Sequence, residues 1–241
     1  MLHTKPISAF QESVEEVPSS GARLAAHAAV RASAFHQNEM PMSKLVFDKL
    51  FAGAALLMLA PAMLGLAVML RMGSSAPVLF GHTRIGHNGR RFRCLKFRTM
   101  RPNSDAELEE LLRIDPIARE EWLRQRKLER DPRVDRLGHI LRKTSLDELP
   151  QFWNVLCGDM SIVGPRPITE AEASKYGEHF ATYTSVRPGL TGKWQVSGRS
   201  DASYEQRVAL DVEYIRNWSM WQDISIAFRT VHVVLAGRGA C

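Results

Sequence analysis

The sequence predicts a mainly α protein with a small β-hairpin, attached to a membrane by one short apolar anchor. Three observations support this fold class. Residues 50–70 form an uncharged run of 21 residues, and an Asn-Gly dipeptide at 88–89 lies between two β-compatible runs. Apolar residues recur at helical spacing through residues 103–130 and 203–235. The 241 residues suffice for one domain with an anchor and a tail.

Residues 1–43 are polar, alanine-rich and poor in aromatics, which predicts a mobile N-terminal extension. They contain Glu12, Glu15 and Glu16 and no continuous apolar core, so we expect no cleavable signal peptide. The anchor is expected over residues 44–72. A folded domain is expected over residues 73–241.

The apolar anchor leaves two topologies open. Its length matches the roughly 20 residues that cross about 30 Å of hydrocarbon. Basic residues nevertheless flank both ends: Lys44 and Lys49 precede the run, and Arg71 and Arg84 follow it. Such flanks favour the cytoplasmic side. Pro61 bends helices, so a helix-break-helix hairpin within one leaflet and a kinked transmembrane span are equally compatible.

The Asn88-Gly89 dipeptide predicts a β-hairpin, because both positions of a tight hairpin turn need positive φ. Strand alternation after the turn places Cys94 and Lys96 on one face. Lys96 and Arg98 precede a turn-rich segment and are candidates for binding phosphate.

Two further regions predict helices. Residues 103–130 predict two helices divided by Pro116, with charged faces that we interpret as solvated. Residues 203–235 predict a helix in which Trp218 and Trp221 alternate with arginines and apolar residues. This composition suits an amphipathic helix in a bilayer interface, with an ordinary core helix as the alternative.

Composition restricts the partners and the compartment. The net charge of +6 favours anionic partners such as phosphates, nucleotides or acidic lipid headgroups. Three cysteines without a C-x-x-C pair argue against a disulfide framework. They fit a reducing compartment, so we place the bulk of the chain in the cytoplasm.

Residues 142–167 contain the candidate reactive groups. Thr144 or Ser145 is expected to cap a helix whose first turn holds Asp147 and Glu148. Helix dipoles favour acidic residues there, so the pair alone has a structural explanation. Arginines near rigid Pro and Gly residues favour a functional site instead, because fixed guanidinium groups can bind a phosphate ester. These arginines are Arg142, Arg166 and Arg187.

Four motifs together resemble one family. They are KFRTM (96–100), LDELPQFWNVLCGDMSIVGPRP (146–167), RPGLTGKWQVSGR (187–199) and DVEYIRNWSMWQDI (211–224). From about Lys44 onward the chain is similar to the bacterial sugar transferases. These monotopic phosphoglycosyl transferases move a sugar 1-phosphate from a nucleotide diphosphate-sugar to a polyprenyl phosphate. Residues 81–100 are similar to members that start a rhizobial exopolysaccharide with galactose 1-phosphate.

The resemblance implies a re-entrant anchor and interfacial helices on the cytoplasmic face of the bacterial inner membrane. The family often has Ser-Pro at the helix break, whereas this chain has Ala60-Pro61, so the proline alone must suffice or the bend is shallower. Residues 73–241 would be the catalytic domain. Its partners would be a UDP-hexose, undecaprenyl phosphate and membrane lipids, and no nucleic acid. The oligomeric state stays open, with a homodimer and later glycosyltransferases as candidates.

The same resemblance assigns roles to the site residues. Asp147 would be the nucleophile that forms a phosphosugar-aspartyl intermediate, and Glu148 its metal-binding partner. Both reaction steps bring an anion to a phosphate, so Mg²⁺ and fixed basic groups are expected. Arg166 and Lys96 would contact the donor. Asp211 would lie near the active site as a further metal ligand.

Two other functions remain as rivals. A non-catalytic membrane scaffold would have no chemical use for an intact Asp147-Glu148 pair. A membrane-tethered nucleic-acid binder would explain the positive charge but not the carboxylates. No motif encodes the sugar, because epimers are separated by a few pocket hydrogen bonds. We expect galactose, with glucose second.

Overall fold

The structure, a computed structural model, describes residues 40–125, 128, 131–197 and 203–235. The predicted N-terminal extension, up to residue 39, and Cys241 lie outside them. The helices are α1 Met42–Gly73, α2 Ser104–Ile114, α3 Pro116–Gln125, α4 Arg136–Lys143, α5 Gln151–Cys157, α6 Glu170–Tyr176, α7 Phe180–Thr184, α8 Lys193–Ser197, α9 Tyr204–Arg216 and α10 Met220–Leu235. The strands are β1 Leu79–Ile85, β2 Arg91–Phe97, β3 Ser161–Val163 and β4 Gly189–Thr191. The described part is therefore mainly helical, as predicted.

The first two strands form the predicted hairpin. They pair antiparallel, with Lys96 opposite Phe80. Asn88 and Gly89 have φ of 55° and 71°, the positive values that an Asn-Gly turn supplies at little cost. The hairpin prediction is confirmed. β3 and β4 form a second, parallel pair in which Ser161 lies opposite Gly189.

A side-chain amide joins the hairpin to helix α5. The backbone N–H of Leu95 donates to Oδ1 of Asn154 at 2.9 Å. Nδ2 of Asn154 donates to the carbonyl oxygen of Arg93, also at 2.9 Å. The amide therefore satisfies two backbone groups on the edge of β2 that does not pair with β1, as a third strand would. This contact fixes α5 against the strand that presents Lys96.

The two predicted helices over residues 103–130 are present as α2 and α3. Pro116 is the first residue of α3, where its missing N–H costs nothing. Asp115 caps that helix, because its Oδ1 accepts the N–H groups of Ile117 and Ala118. The division at Pro116 is confirmed.

The single C-terminal helix predicted over residues 203–235 is wrong. The chain turns at residues 217–219, and the side chain of Ser219 accepts the N–H of Gln222 to start a new helix. α9 is a core helix that buries Val208 and Val212. α10 leaves Trp221 77 % exposed and, farther along, Phe228 and Val231 exposed as well.

Helix α1 is long and apolar enough to cross a membrane, judged by length and composition alone. The backbone stays helical from Met42 through Pro61 to Gly73. The predicted break at Pro61 is therefore absent. A single proline removes one backbone hydrogen bond, and the residues on both sides of it remain helical.

Both ends of α1 pack on the same folded unit, and its middle does not. Ala52 lies in a core cluster with Val155. Eighteen residues later, Leu70 packs with Phe97 and Leu141. Between them Leu57 is 81 % exposed, among other exposed apolar side chains. The exposed middle of the helix needs an apolar environment that the described residues do not supply.

Buried charges fix the start of α1. Nζ of Lys44 lies 2.9 Å from Oδ1 of Asp48 and 2.8 Å from Oδ2 of Asp223 in α10. The hydroxyls of Ser161 and Tyr214 donate to these carboxylates at 2.7 Å each. Buried ions are tolerated only when they are paired and fully hydrogen-bonded. This network joins the anchor to α10.

Candidate active site

The acidic pair, Asp147 and Glu148, lies in a 3₁₀ turn between α4 and α5. Thr144 does not start this turn: its hydroxyl donates to the carbonyl oxygen of Ile140 at 2.8 Å and so closes α4. Ser145 follows with φ of 56°, a left-handed conformation that costs free energy in a residue other than glycine. Ser145 therefore stands at the N-cap position of the turn, as one of the two expected residues, but its side chain makes no capping hydrogen bond. The alternative, Thr144, is wrong, because a hydroxyl can satisfy groups at either helix end. Strained backbone immediately precedes the pair.

Lys96 of β2 reaches both carboxylates. Its Nζ lies 2.7 Å from Oε1 of Glu148 and 3.6 Å from Oδ2 of Asp147. Asp147 is only 5 % exposed. Burial raises the pKa of Asp147 above its ordinary value, while Lys96 and Arg142 act in the opposite direction. The arrangement holds one buried carboxylate and one more accessible carboxylate against a single ammonium.

Hydrophobic residues on either side of the acidic pair hold it against α1. Leu146 and Leu149 pack on the cluster that contains Leu70 and Phe97. The carboxylates therefore lie on a turn whose base contacts helix α1.

A small, open cleft lies beside the pair. We call it the basic cleft, because three cationic side chains line it and Glu148 is its one acidic lining residue. Its charged and amide-bearing lining residues are Arg84, Lys96, Glu148, Gln151, Arg166 and Gln195. Such a site favours a ligand with more than one negative charge.

The wall that presents Arg166 is built by close backbone contact. A Cβ on Gly164 would lie 2.6 Å from the carbonyl oxygen of Arg187, and a Cβ on Gly189 would meet the nitrogen of Gly164. Only glycines let these two turns touch. Trp194 lies against the guanidinium of Arg166, 5.9 Å from ring centroid to Cζ, and is itself 8 % exposed. Trp194 therefore supports the arginine.

The structure places two predicted phosphate ligands elsewhere. Arg98 donates to the carbonyl oxygens of Pro77 at 2.6 Å and Leu70 at 3.5 Å, so it holds the end of α1. Arg187 donates to the carbonyl oxygen of Gly158 at 2.8 Å and lines a separate cavity with Lys44. Neither arginine lines the basic cleft. Their positions support structural roles.

Arg142 and Asp211 also lie outside the lining of the cleft. Nε of Arg142 donates to Oγ1 of Thr99 at 2.9 Å, and its charge acts on Asp147. Asp211 is 1 % exposed, accepts the hydroxyl of Tyr176 at 2.7 Å, and has its pKa raised to about 7 by burial. Among the described residues, no three His, Cys, Asp or Glu side chains form a metal cluster. The structure gives no support for Asp211 as a second metal ligand.

Sequence reasoning missed three polar residues of the cleft: Arg84, Gln151 and Gln195. A signal for Arg84 exists in the hairpin. Residues opposite each other in an antiparallel pair share a face, and the register sets Arg84 opposite Phe92. Continuing the alternation of Cys94 and Lys96 across the Asn-Gly turn would have included Arg84.

Comparison with known proteins identifies the family of this chain. A sequence model of the bacterial sugar transferase family matches residues 39–237. The chain is 52 % identical over 197 residues to a UDP-galactose-lipid carrier transferase of Erwinia amylovora, covering 82 % of this chain and 41 % of the relative. It is 50 % identical over 199 residues to the exopolysaccharide production protein ExoY of Rhizobium meliloti, covering 83 % and 88 %.

A third relative is the undecaprenyl-phosphate galactose phosphotransferase of Salmonella typhimurium, 47 % identical over 197 residues, which are 82 % of this chain and 41 % of the relative. The chain thus spans less than half the length of two of these three relatives and most of the third. The family match covers α1, the hairpin, the acidic pair and the basic cleft. The chain belongs to the bacterial sugar transferase family.

Proposed function

We propose that this protein transfers a hexose 1-phosphate from a UDP-sugar to undecaprenyl phosphate and thereby starts an exopolysaccharide. The observation that supports it most is the position of the acidic pair: Lys96 lies within 4 Å of both carboxylates beside a basic cleft. The names of two relatives that are 52 % and 47 % identical specify galactose. Galactose is therefore the sugar we propose, with glucose as the alternative.

The chemistry follows from the two carboxylates. Asp147 attacks the phosphorus that carries the sugar, an O–P bond forms, and the bond to UMP breaks. An oxygen of undecaprenyl phosphate then attacks the same phosphorus and releases Asp147. Lys96 and Arg166 stabilise charge on the phosphate oxygens during both steps.

Glu148 is the residue that would hold Mg²⁺. Its side chain is 24 % exposed at the cleft, and Mg²⁺ is commonly bound by one or two carboxylates together with substrate phosphates. A bound ion supplies charge neutralisation at the diphosphate. Asp147 then remains available as the nucleophile.

Packing supports a re-entrant anchor on the cytoplasmic face, formed by a helix that is not interrupted at Pro61. Ala52 and Leu70 would lie about 27 Å apart along a straight helix, and both contact the same folded unit. A transmembrane span would need parts of that unit on opposite bilayer faces. Exposed Trp221 and Phe228 on α10 supply an apolar surface suited to the interface.

Release of UMP by the purified full chain tests the activity. With Mg²⁺ and undecaprenyl phosphate, we expect UMP to form repeatedly from UDP-galactose and more slowly from UDP-glucose. Without the acceptor, UMP should stop at about one per protein molecule, because the covalent intermediate cannot be discharged. No release from any UDP-sugar would contradict the transferase and favour the scaffold.

Single cysteines at the two ends of α1 test the topology. Ser43 and Ser75 are exposed and lie on either side of the anchor. In a chain with Cys157→Ser and Cys241→Ser, buried Cys94 contributes little labelling. We expect Ser43→Cys and Ser75→Cys to react with an impermeant maleimide only after the inner membrane is opened. Labelling of either cysteine before the membrane is opened would refute the re-entrant anchor.

A further inference from the structure

Arg84 faces the basic cleft from β1, beside Arg166. Its side chain is 20 % exposed, and both arginines line the cleft with Lys96 and Glu148. Glu148 lies 2.7 Å from Lys96. The carboxylates that act on the two guanidiniums lie outside the lining: Glu172 lies 3.4 Å from Arg84, and buried Asp211 acts on the charge of Arg166.

The protein holds Arg84 through one nitrogen. Nη1 donates to the carbonyl oxygen of Pro167 at 3.2 Å and to Oε2 of Glu172 at 3.4 Å. That carboxylate oxygen already accepts the N–H and the hydroxyl of Thr169 at 2.8 Å each. Among the described residues, Nε and Nη2 of Arg84 have no hydrogen-bond partner in the protein. One edge of the guanidinium is thus fixed while another stays available.

Electrostatics agrees with this geometry. Burial lowers the pKa of Arg84, and the positive charge of Arg166 lowers it further. Because the two positive charges act on each other, an anion that contacts both guanidiniums stabilises both charged side chains.

We propose that Arg84 and Arg166 together bind the diphosphate of the donor, a role that rests on the proposed function. Each guanidinium offers a planar pair of donors that matches phosphate oxygens. A diphosphate has enough charge and length for two such groups, whereas a monophosphate satisfies one. Arg84 therefore makes the site prefer UDP over UMP, which favours release of UMP after the first step.

Binding of UDP and UMP to the purified full chain with Mg²⁺ tests this role, because neither nucleotide is turned over. We expect Arg84→Gln to weaken UDP about tenfold or more, since a charge-assisted hydrogen bond is lost, and to change UMP less than threefold. Arg84→Lys should recover only part of the UDP affinity, because lysine lacks the planar pair of donors. Arg93→Gln is the matched control: it lies exposed on β2, with a 3.3 Å hydrogen bond to the carbonyl oxygen of Gly81.

Equal UDP affinity in wild type and Arg84→Gln would overturn the role of Arg84 and leave the transferase standing. Equal weakening of UDP and UMP would overturn the diphosphate assignment. If wild type binds neither nucleotide better than inorganic phosphate, the proposed function itself fails. Should Arg84→Gln not fold, the UDP-to-UMP affinity ratio of Arg84→Lys decides in the same way.

Discussion

Asp147→Asn is expected to lower sugar-phosphate transfer by about 10⁴-fold or more, since the covalent pathway loses its nucleophile. Its thermal stability should be unchanged or higher. Burial raises the pKa of Asp147, which means that the fold disfavours the charged carboxylate. A neutral isostere removes that cost. UMP release and the melting temperature of the same sample measure both effects.

Asp159→Asn is the matched control for this substitution. Asp159 is exposed and follows α5, so the same chemical change there should leave transfer within twofold of wild type. An Asp147→Asn protein that retains a tenth of the activity would exclude the covalent role. A large loss of activity together with a lower melting temperature would instead indicate damage to the fold.

The pH dependence of the first step has a defined sign. In the proposed mechanism Asp147 reacts as the carboxylate, and its pKa lies above the ordinary value. As pH falls, the reactive fraction therefore declines at a higher pH than it would for an exposed aspartate. The same shift lowers the free energy of unfolding as pH rises from the ordinary aspartate pKa to the raised one, because only the unfolded chain loses its proton in that interval. We expect the UMP burst to disappear on acidification while the fold persists.

Lys44→Met is expected to cost about 3–5 kcal/mol of stability, the range for a broken buried ion pair. The change leaves Asp48 and Asp223 buried with no cation between them. The substitution therefore weakens the contact between α1 and α10 and adds repulsion between the two carboxylates. Thermal unfolding in one fixed detergent, followed by tryptophan fluorescence, measures the loss.

Two further variants test whether the loss of stability is specific to Lys44. Lys49→Met alters an exposed lysine of the same helix, so we expect a change of at most about 0.5 kcal/mol. Lys44→Met combined with Asp223→Asn removes one of the two unpaired charges and should recover part of the loss. If Lys44→Met unfolds at the wild-type temperature, the network contributes nothing to stability.

Local signals predicted the elements that depend on a few neighbouring residues. Asn88-Gly89 predicted the hairpin because two positive φ values suffice to define its turn. Pro116 predicted a helix start because its missing N–H has no partner to lose there. Thr144 was misassigned because a hydroxyl that follows one helix and precedes another serves either one, and only packing decides between them.

The site depended on contacts between distant parts of the chain. Lys96, Glu148 and Arg166 line one cleft, and buried Asp147 lies behind it, 3.6 Å from Lys96. Arg98 and Arg187 do not join them, because each is held by a carbonyl oxygen 28 or 29 residues away. No local pattern reveals such a partner. A basic side chain beside a turn looks the same in sequence whether it meets substrate or backbone.

The Asn154 amide also removes a hazard of small sheets at membrane surfaces. An unpaired strand edge is a template for pairing with the same edge of another molecule. On the proposal that this protein is held on a bilayer, its copies diffuse in a plane and collide with restricted orientations. Because Asn154 occupies the N–H of Leu95 and the carbonyl of Arg93, this stretch of β2 is closed to edge-to-edge aggregation.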